Sequence, residues 1–196
     1  MTRAGIVIAL LLGAGSALAE PRIRVYADPE CASTTLPAME PPGPYIVYAM
    51  ASLDTLPGIM GAEFRIQGLP NGWQAFATPN PAAAIVLGNP FGTPGANIAF
   101  ATCQTARCVL LYQIALLPAT SQSQLALEVR ANAPAANPNL VCPLLVLCDD
   151  PYFTQVCVRS DGSGSGGGGG NCGPCCGCPP VAVQPSTWTR VKKLYR

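Results

Sequence analysis

The 196-residue sequence predicts an all-β protein: an antiparallel β-sandwich over residues 20–159, then a disordered Gly-rich linker and a short helical tail. Three observations carry that reading. Short apolar runs, several strictly alternating, recur along the chain with Pro, Gly and Asn between them. No helical pattern separates these runs, which argues against βαβ units. Pro (21) and Gly (20) together exceed a fifth of the chain, leaving little room for long helices.

Each strand has its own local justification. Arg22–Ala27 (RIRVYA) alternates, and Tyr45–Leu53 is an apolar run between Glu40–Pro44 and Pro57-Gly58. Gly61–Leu69 sets Ala62, Phe64 and Ile66 against Glu63, Arg65 and Gln67, the pattern of a strand with one wet face. Trp73–Thr78, Ala84–Leu87 and Asn97–Thr102 follow, separated by Pro79-Asn80-Pro81 and Asn89-Pro90. Cys108–Leu117 is apolar nearly throughout and rich in Val and Ile, so it reads as a central strand or one that crosses between sheets. Gln124–Ala131, Leu140–Leu147 and Phe153–Arg159 complete ten candidates. Alternation turns Ala62, Phe64, Ile66, Leu125, Leu127 and Val129 inward, and leaves Glu63 and Glu128 outward and solvated.

The ends of the chain read differently. Residues 1–19 combine Arg3, the apolar run Ile6–Leu12 and Ala17-Leu18-Ala19 before Glu20, the layout of a secretory signal peptide. The run falls short of the ~20 apolar residues that span a bilayer, and no later segment is a candidate span. Residues 160–185 form a Gly/Cys/Pro-rich linker, and residues 186–196 a basic amphipathic tag. In that tag Ser186 or Thr187 serves as an N-cap, while Trp188, Val191, Leu194 and Tyr195 recur at helical spacing. Arg190, Lys192, Lys193 and Arg196 supply its charge. So short a helix folds only against a receptor, which points to an export or attachment signal.

Composition excludes several chemistries. The chain has no His, so Ser-His-Asp and Cys-His catalysis and every His-ligated metal are ruled out. Residues 20–161 hold six basic and ten acidic side chains, whereas residues 162–196 hold four basic and none acidic. No basic folded face of a nucleic-acid binder results. Asp28, Glu30, Asp149 and Asp150 read as turn formers, lacking the regular spacing of a Ca²⁺ loop. A glycosidase needs two facing carboxyls, and nothing in the sequence pairs Glu63 with Glu128 in that way. Gly162–Gly170 lacks the G-K-[ST] ending of a phosphate loop. No catalytic residue, metal ligand or cofactor is assigned.

Ten cysteines in a chain this short indicate an oxidising compartment and structural disulfides. Cys31, Cys103, Cys108, Cys142, Cys148 and Cys157 lie in the body. The first expectation pairs Cys103–Cys108, Cys142–Cys148 and Cys31–Cys157, with Cys103–Cys142 as the main competitor. Cys172, Cys175, Cys176 and Cys178 crowd the linker, where local or intermolecular disulfides are favoured over a tightly wrapped Zn²⁺.

Residues 58–76 (GIMGAEFRIQGLPNGWQAF) resemble the early glycine, alternating-strand, turn and aromatic segment of cohesin-like domains. LLYQIALLPAT (110–120) resembles a later strand of cohesin-like and Ig-like β-sandwiches. ATCQT (101–105) and CPLLVLCDDPYFTQVCV (142–158) are similar to segments of uncharacterised secreted bacterial proteins. TWTRVKKLYR (187–196) looks like their C-terminal sorting-type tags, with Thr189 where Gly is commoner. The resemblance implies a secreted or cell-surface protein. Its implied partners are an extracellular protein or carbohydrate, and an export or sorting receptor for the tag. The expected function is non-catalytic binding, adhesion or surface structure. A carboxylate-dependent hydrolase, or a metal or redox role for the linker cysteines, is the alternative.

Overall fold

The computed structural model describes residues 20–135, 141–148 and 154–160. Residues 1–19, expected as a leader, 161–185 of the expected linker with its four cysteines, and 186–196, expected as a tag, lie outside these residues. Eleven strands run in chain order: β1 (Arg22–Tyr26), β2 (Tyr45–Ser52), β3 (Ile59–Gln67), β4 (Gln74–Pro79), β5 (Ala83–Gly88), β6 (Ala96–Gln104), β7 (Cys108–Leu117), β8 (Glu128–Arg130), β9 (Leu144–Leu147), β10 (Gln155–Cys157) and β11 (Arg159–Ser160). No helix occurs among the described residues. The all-β expectation stands.

The strands form two sheets. One runs β11-β1-β2-β7-β4; the other runs β10-β9-β3-β6-β5, with β8 also paired to β3. All pairings are antiparallel except β1 with β11, where Arg22 and Ile23 lie parallel to Arg159 and Ser160. That short bridge departs from a purely antiparallel expectation and carries the body to residue 160. Successive strands repeatedly change sheet: β2 to β3, β4 to β5 and β6 to β7 are all crossings.

Alternation explains which side chains meet. Ile23, Val25, Val47, Ala49, Ile114 and Leu116 from the first sheet share one buried cluster with Ala62, Phe64, Ile66, Ile98 and Phe100 from the second. All six residues expected inward are buried. At the centre the Phe64 ring meets Tyr112 edge-on, with centroids 6.0 Å apart and planes at 74°. β7 is central as expected, between β2 and β4, but it is not covered on both faces as a central strand was expected to be: its outer-face Gln113 is exposed. It carries one extra residue opposite Ala49 and Met50, a bulge in the ladder.

Three expected strands differ: Gln124–Ala131 shrinks to β8, Leu140–Leu147 to β9, and Phe153–Arg159 is replaced by β10 and β11. Pro143 cannot donate to a ladder, so β9 starts only at Leu144. The Pro143 carbonyl instead accepts a bond from the Val158 amide, at the break between β10 and β11. Glu63 corrects another expectation. It does point away from the shared core, yet it is only 7% exposed, lying opposite Asn97 and Leu144. Alternation specifies a face of the sheet; it does not specify what covers that face.

The Tyr112 hydroxyl is buried without a hydrogen-bond partner, and burial raises its pKa from 10.0 to about 12. Tyr112→Phe is therefore expected to leave stability unchanged or raise it by up to about 1 kcal/mol. A raised pKa favours the protonated folded form, so this stabilisation is complete below pH 10 and lost toward pH 12. Denaturant midpoints across that window should fall less in the variant than in the parent.

Candidate interaction surface

All six body cysteines are paired: Cys31–Cys108, Cys103–Cys148 and Cys142–Cys157. Every expected pairing is corrected, and so is the Cys103–Cys142 competitor. Cys103 and Cys108 bracket a crossing rather than a hairpin, since β6 and β7 belong to different sheets. Cys142 and Cys148 flank the extended strand β9. Six residues at ~3.3 Å each separate them by about 20 Å, far beyond disulfide reach. Cys31 lies in the loop after β1, on the first sheet, whereas Cys157 lies in β10 of the second. The observed pairs have Cα separations of 6.3, 5.6 and 5.6 Å, all within the ordinary range.

None of these bonds links a strand of one sheet to a strand of the other, so the sheets are joined by their apolar core. Cys103–Cys148 passes beside Gly58, whose carbonyl accepts from the Cys148 amide. A Cβ at Gly58 would lie 2.5 Å from the Cys103 sulfur and 3.1 Å from the Gln104 carbonyl oxygen. Gly58→Ala should therefore displace this disulfide and cost about 1–3 kcal/mol. Peptide mapping of the 103–148 bond, with a melting curve, tests this; an intact bond at the parent melting temperature contradicts it.

The loop holding Cys31 is braced by Asp28. Its carboxylate accepts backbone N–H bonds from Ala32 (2.8 Å), Ser33 (2.7 Å) and Glu30 (3.1 Å). These bonds, the Ala32 one foremost, lower the Asp28 pKa below 3.8, although burial opposes them. The bracing is thus present above pH 3.8 and lost as pH falls through the lower folded value. Protection of the Ala32 and Ser33 amides, measured against their intrinsic exchange rates at each pH, is expected to fall on such acidification, and Asp28→Ala should lower it equally at neutral pH.

Glu63 and Glu128 do not converge. Glu128 lies opposite Gln67, four residues along β3 from Glu63. At ~3.3 Å per residue the two stand about 13 Å apart along the strand, beyond the ~5–9.5 Å of glycosidase pairs. Glu128 pairs instead with Arg130 at the surface. Asp149 and Asp150 lie outside the described residues. Among those residues, no group of three His, Cys, Asp or Glu side chains could hold a metal. Among the described residues no helix is long and apolar enough to cross a membrane.

One side of the body does stand out, and sequence reasoning missed it. β4 and β5 are the terminal strands of the two sheets and are joined by residues 80–82, so both free edges lie on one side. Phe76 is 55% exposed, Ile85 46%, Val86 36% and Leu87 58%. On the outer face of the first sheet, Phe76 continues a cross-strand row through Ala115 to Ile46. The neighbouring row runs Thr78, Gln113, Tyr48. Between Arg65 and Glu128 the chain carries a single charged side chain, Arg107. Phe76 lies on the outer face of the first sheet and Ile85 and Leu87 on that of the second, so the exposed apolar strand β5 in its uncharged surroundings is the candidate interaction surface. The charge-free run was the available signal. No protein-family model, curated protein or solved structure matches this chain.

Proposed function

We propose that this chain is a non-catalytic secreted or cell-surface module of binding, adhesion or surface structure, its body a disulfide-braced β-sandwich of cohesin-like or Ig-like kind. The observation that carries this reading is the exposed, uncharged apolar strand β5 on a body whose six cysteines are all paired. Paired cysteines suit an oxidising compartment, and residues 1–19 have the layout of a leader to one. The glycine-rich stretch then tethers a basic apolar tag, residues 186–196, to which an export or sorting receptor binds. An extracellular protein or carbohydrate is the partner of the body.

Fractionation of cells making the full chain tests the proposal. The protein is expected on the surface or in the medium with the body cysteines oxidised. Deleting residues 186–196 should leave the body folded and shift its partition between cell and medium. A chain kept inside the cell with reduced body cysteines overturns the reading. Identical partition of full-length and truncated chains overturns the role of the tag.

A further inference from the structure

We infer that β5 is a self-pairing edge: two copies of this chain join antiparallel through Ala84–Gly88, fusing their β5-bearing sheets into one. The inference deepens the proposed function by naming the partner of the apolar strand β5, and it rests on reading that strand as an interaction surface.

The edge itself is the first observation. Among the described residues β5 pairs with β6 on one flank and ends its sheet on the other, so its backbone groups on that flank face outward. Soluble proteins normally protect such an edge with charge, an inward lysine or very short length. Here β10 and β11, the outermost strands at the far side, are only three and two residues long. β5 has none of these; its one irregularity is the register shift at Ala84, next to the start of the strand, which leaves Ile85–Leu87 in regular register with β6. No residue from Ile66 to Ala106 is charged, and every β5 residue after Ala83 is exposed.

The second observation selects a copy of the same strand as the occupant. An antiparallel self-pair centred on Val86 sets Val86 against Val86 and Ile85 against Leu87, flanked by Ala84 at the register shift and by Gly88 at φ 80°. The segment Ala84-Ile85-Val86-Leu87-Gly88 is a palindrome of size: small, large, medium, large, small. Branched residues therefore meet branched ones between small flanking residues, as cross-strand packing prefers. Neutrality matters equally, because two-fold pairing brings any edge charge close to its own copy. Opposite Ala99 and Asn97, Ile85 and Leu87 share the outer face, so both pairs would bury on that face.

The third observation limits the pairing. Pro81 precedes β5 and Pro90 follows it, so the new ladder cannot extend at either end. A two-fold antiparallel seam uses up both edges and closes at two chains. β4 is the rival edge, but it carries Gln74 and Thr78 and ends in Pro79, with no comparable palindrome.

Sedimentation equilibrium of the oxidised full chain, from low to high micromolar concentration, provides the test. The expected result is a reversible monomer–dimer equilibrium. Ile85→Lys and Leu87→Glu, both at exposed positions, should each weaken association at least tenfold without moving the melting temperature. Mixing those two variants should restore a heterodimer, because residue 85 of one copy lies opposite residue 87 of the other. Val141→Lys, at another exposed apolar residue, should leave the dimer intact. A wild-type chain that stays monomeric overturns the inference. So does a mass that climbs past two chains, a dimer indifferent to both charged variants, or a failure of mixing to restore it. A secreted, oxidised monomer would still satisfy the proposed function, whereas a reduced intracellular dimer would not, so the two failures are distinguishable.

Discussion

Replacing Cys31 and Cys108 together by alanine is expected to lower unfolding free energy by about 4 kcal/mol. This bond spans 77 residues of sequence, against 45 for Cys103–Cys148 and 15 for Cys142–Cys157. If loop closure in the unfolded chain dominates, the three double-alanine variants rank in that order. The Cys31–Cys108 bond also holds the 28–33 loop over the outer face of the first sheet, where the Cys31 sulfur sits 3.5 Å from that of Met50. Met50 is buried there although its strand alternation points it outward. Losing the bond should therefore expose Met50 as well. Guanidinium midpoints of the three variants decide the matter. A reversed ranking would show that native packing, not chain entropy, governs these cross-links.

Phe64→Ala should cost about 3–5 kcal/mol, a drop of roughly 10 °C in melting temperature. Phe64 is fully buried in β3, and its ring meets Tyr112 of the opposite sheet. Since no disulfide links strands of the two sheets, this contact belongs to what joins them. The cavity left by truncation would lie between the two layers, where neither sheet can collapse inward without breaking its own ladder. Phe64→Leu, which keeps most of the volume, should cost much less. Thermal unfolding followed by circular dichroism distinguishes the cases. A loss below about 1 kcal/mol for Phe64→Ala would mean that the core repacks freely.

These two effects also mark how far the sequence could be read. The Phe64 expectation needed only the alternation of Ala62, Phe64 and Ile66. The disulfide map could not be obtained that way. One error was avoidable, because a strand over Leu140–Leu147 already forbids a bond between Cys142 and a cysteine just beyond the strand's far end. The other errors were not avoidable from local pattern. Whether QTAR (104–107) closes a hairpin or crosses between sheets depends on where β6 and β7 find partners distant in sequence.

The same division applies to the candidate surface. Ala84–Leu87 is legible as a strand, and the charge-free stretch around it is legible as composition. That this strand ends its sheet among the described residues, with Ile85 and Leu87 exposed on the outer face, is a property of strand order. Glu63 shows the converse, an outward residue covered by its surroundings.

By itself, then, the sequence determined the all-β class, most strand positions and the inward set from Ala62 to Val129. Period-two alternation and proline are local constraints on the backbone, readable one residue at a time. The tertiary structure alone decided the cysteine pairs, the cover over Glu63 and Met50, and the free edge at β5. Each of these depends on which distant strands become neighbours, a choice made by burial of the whole apolar surface at once and recorded at no single position in the chain.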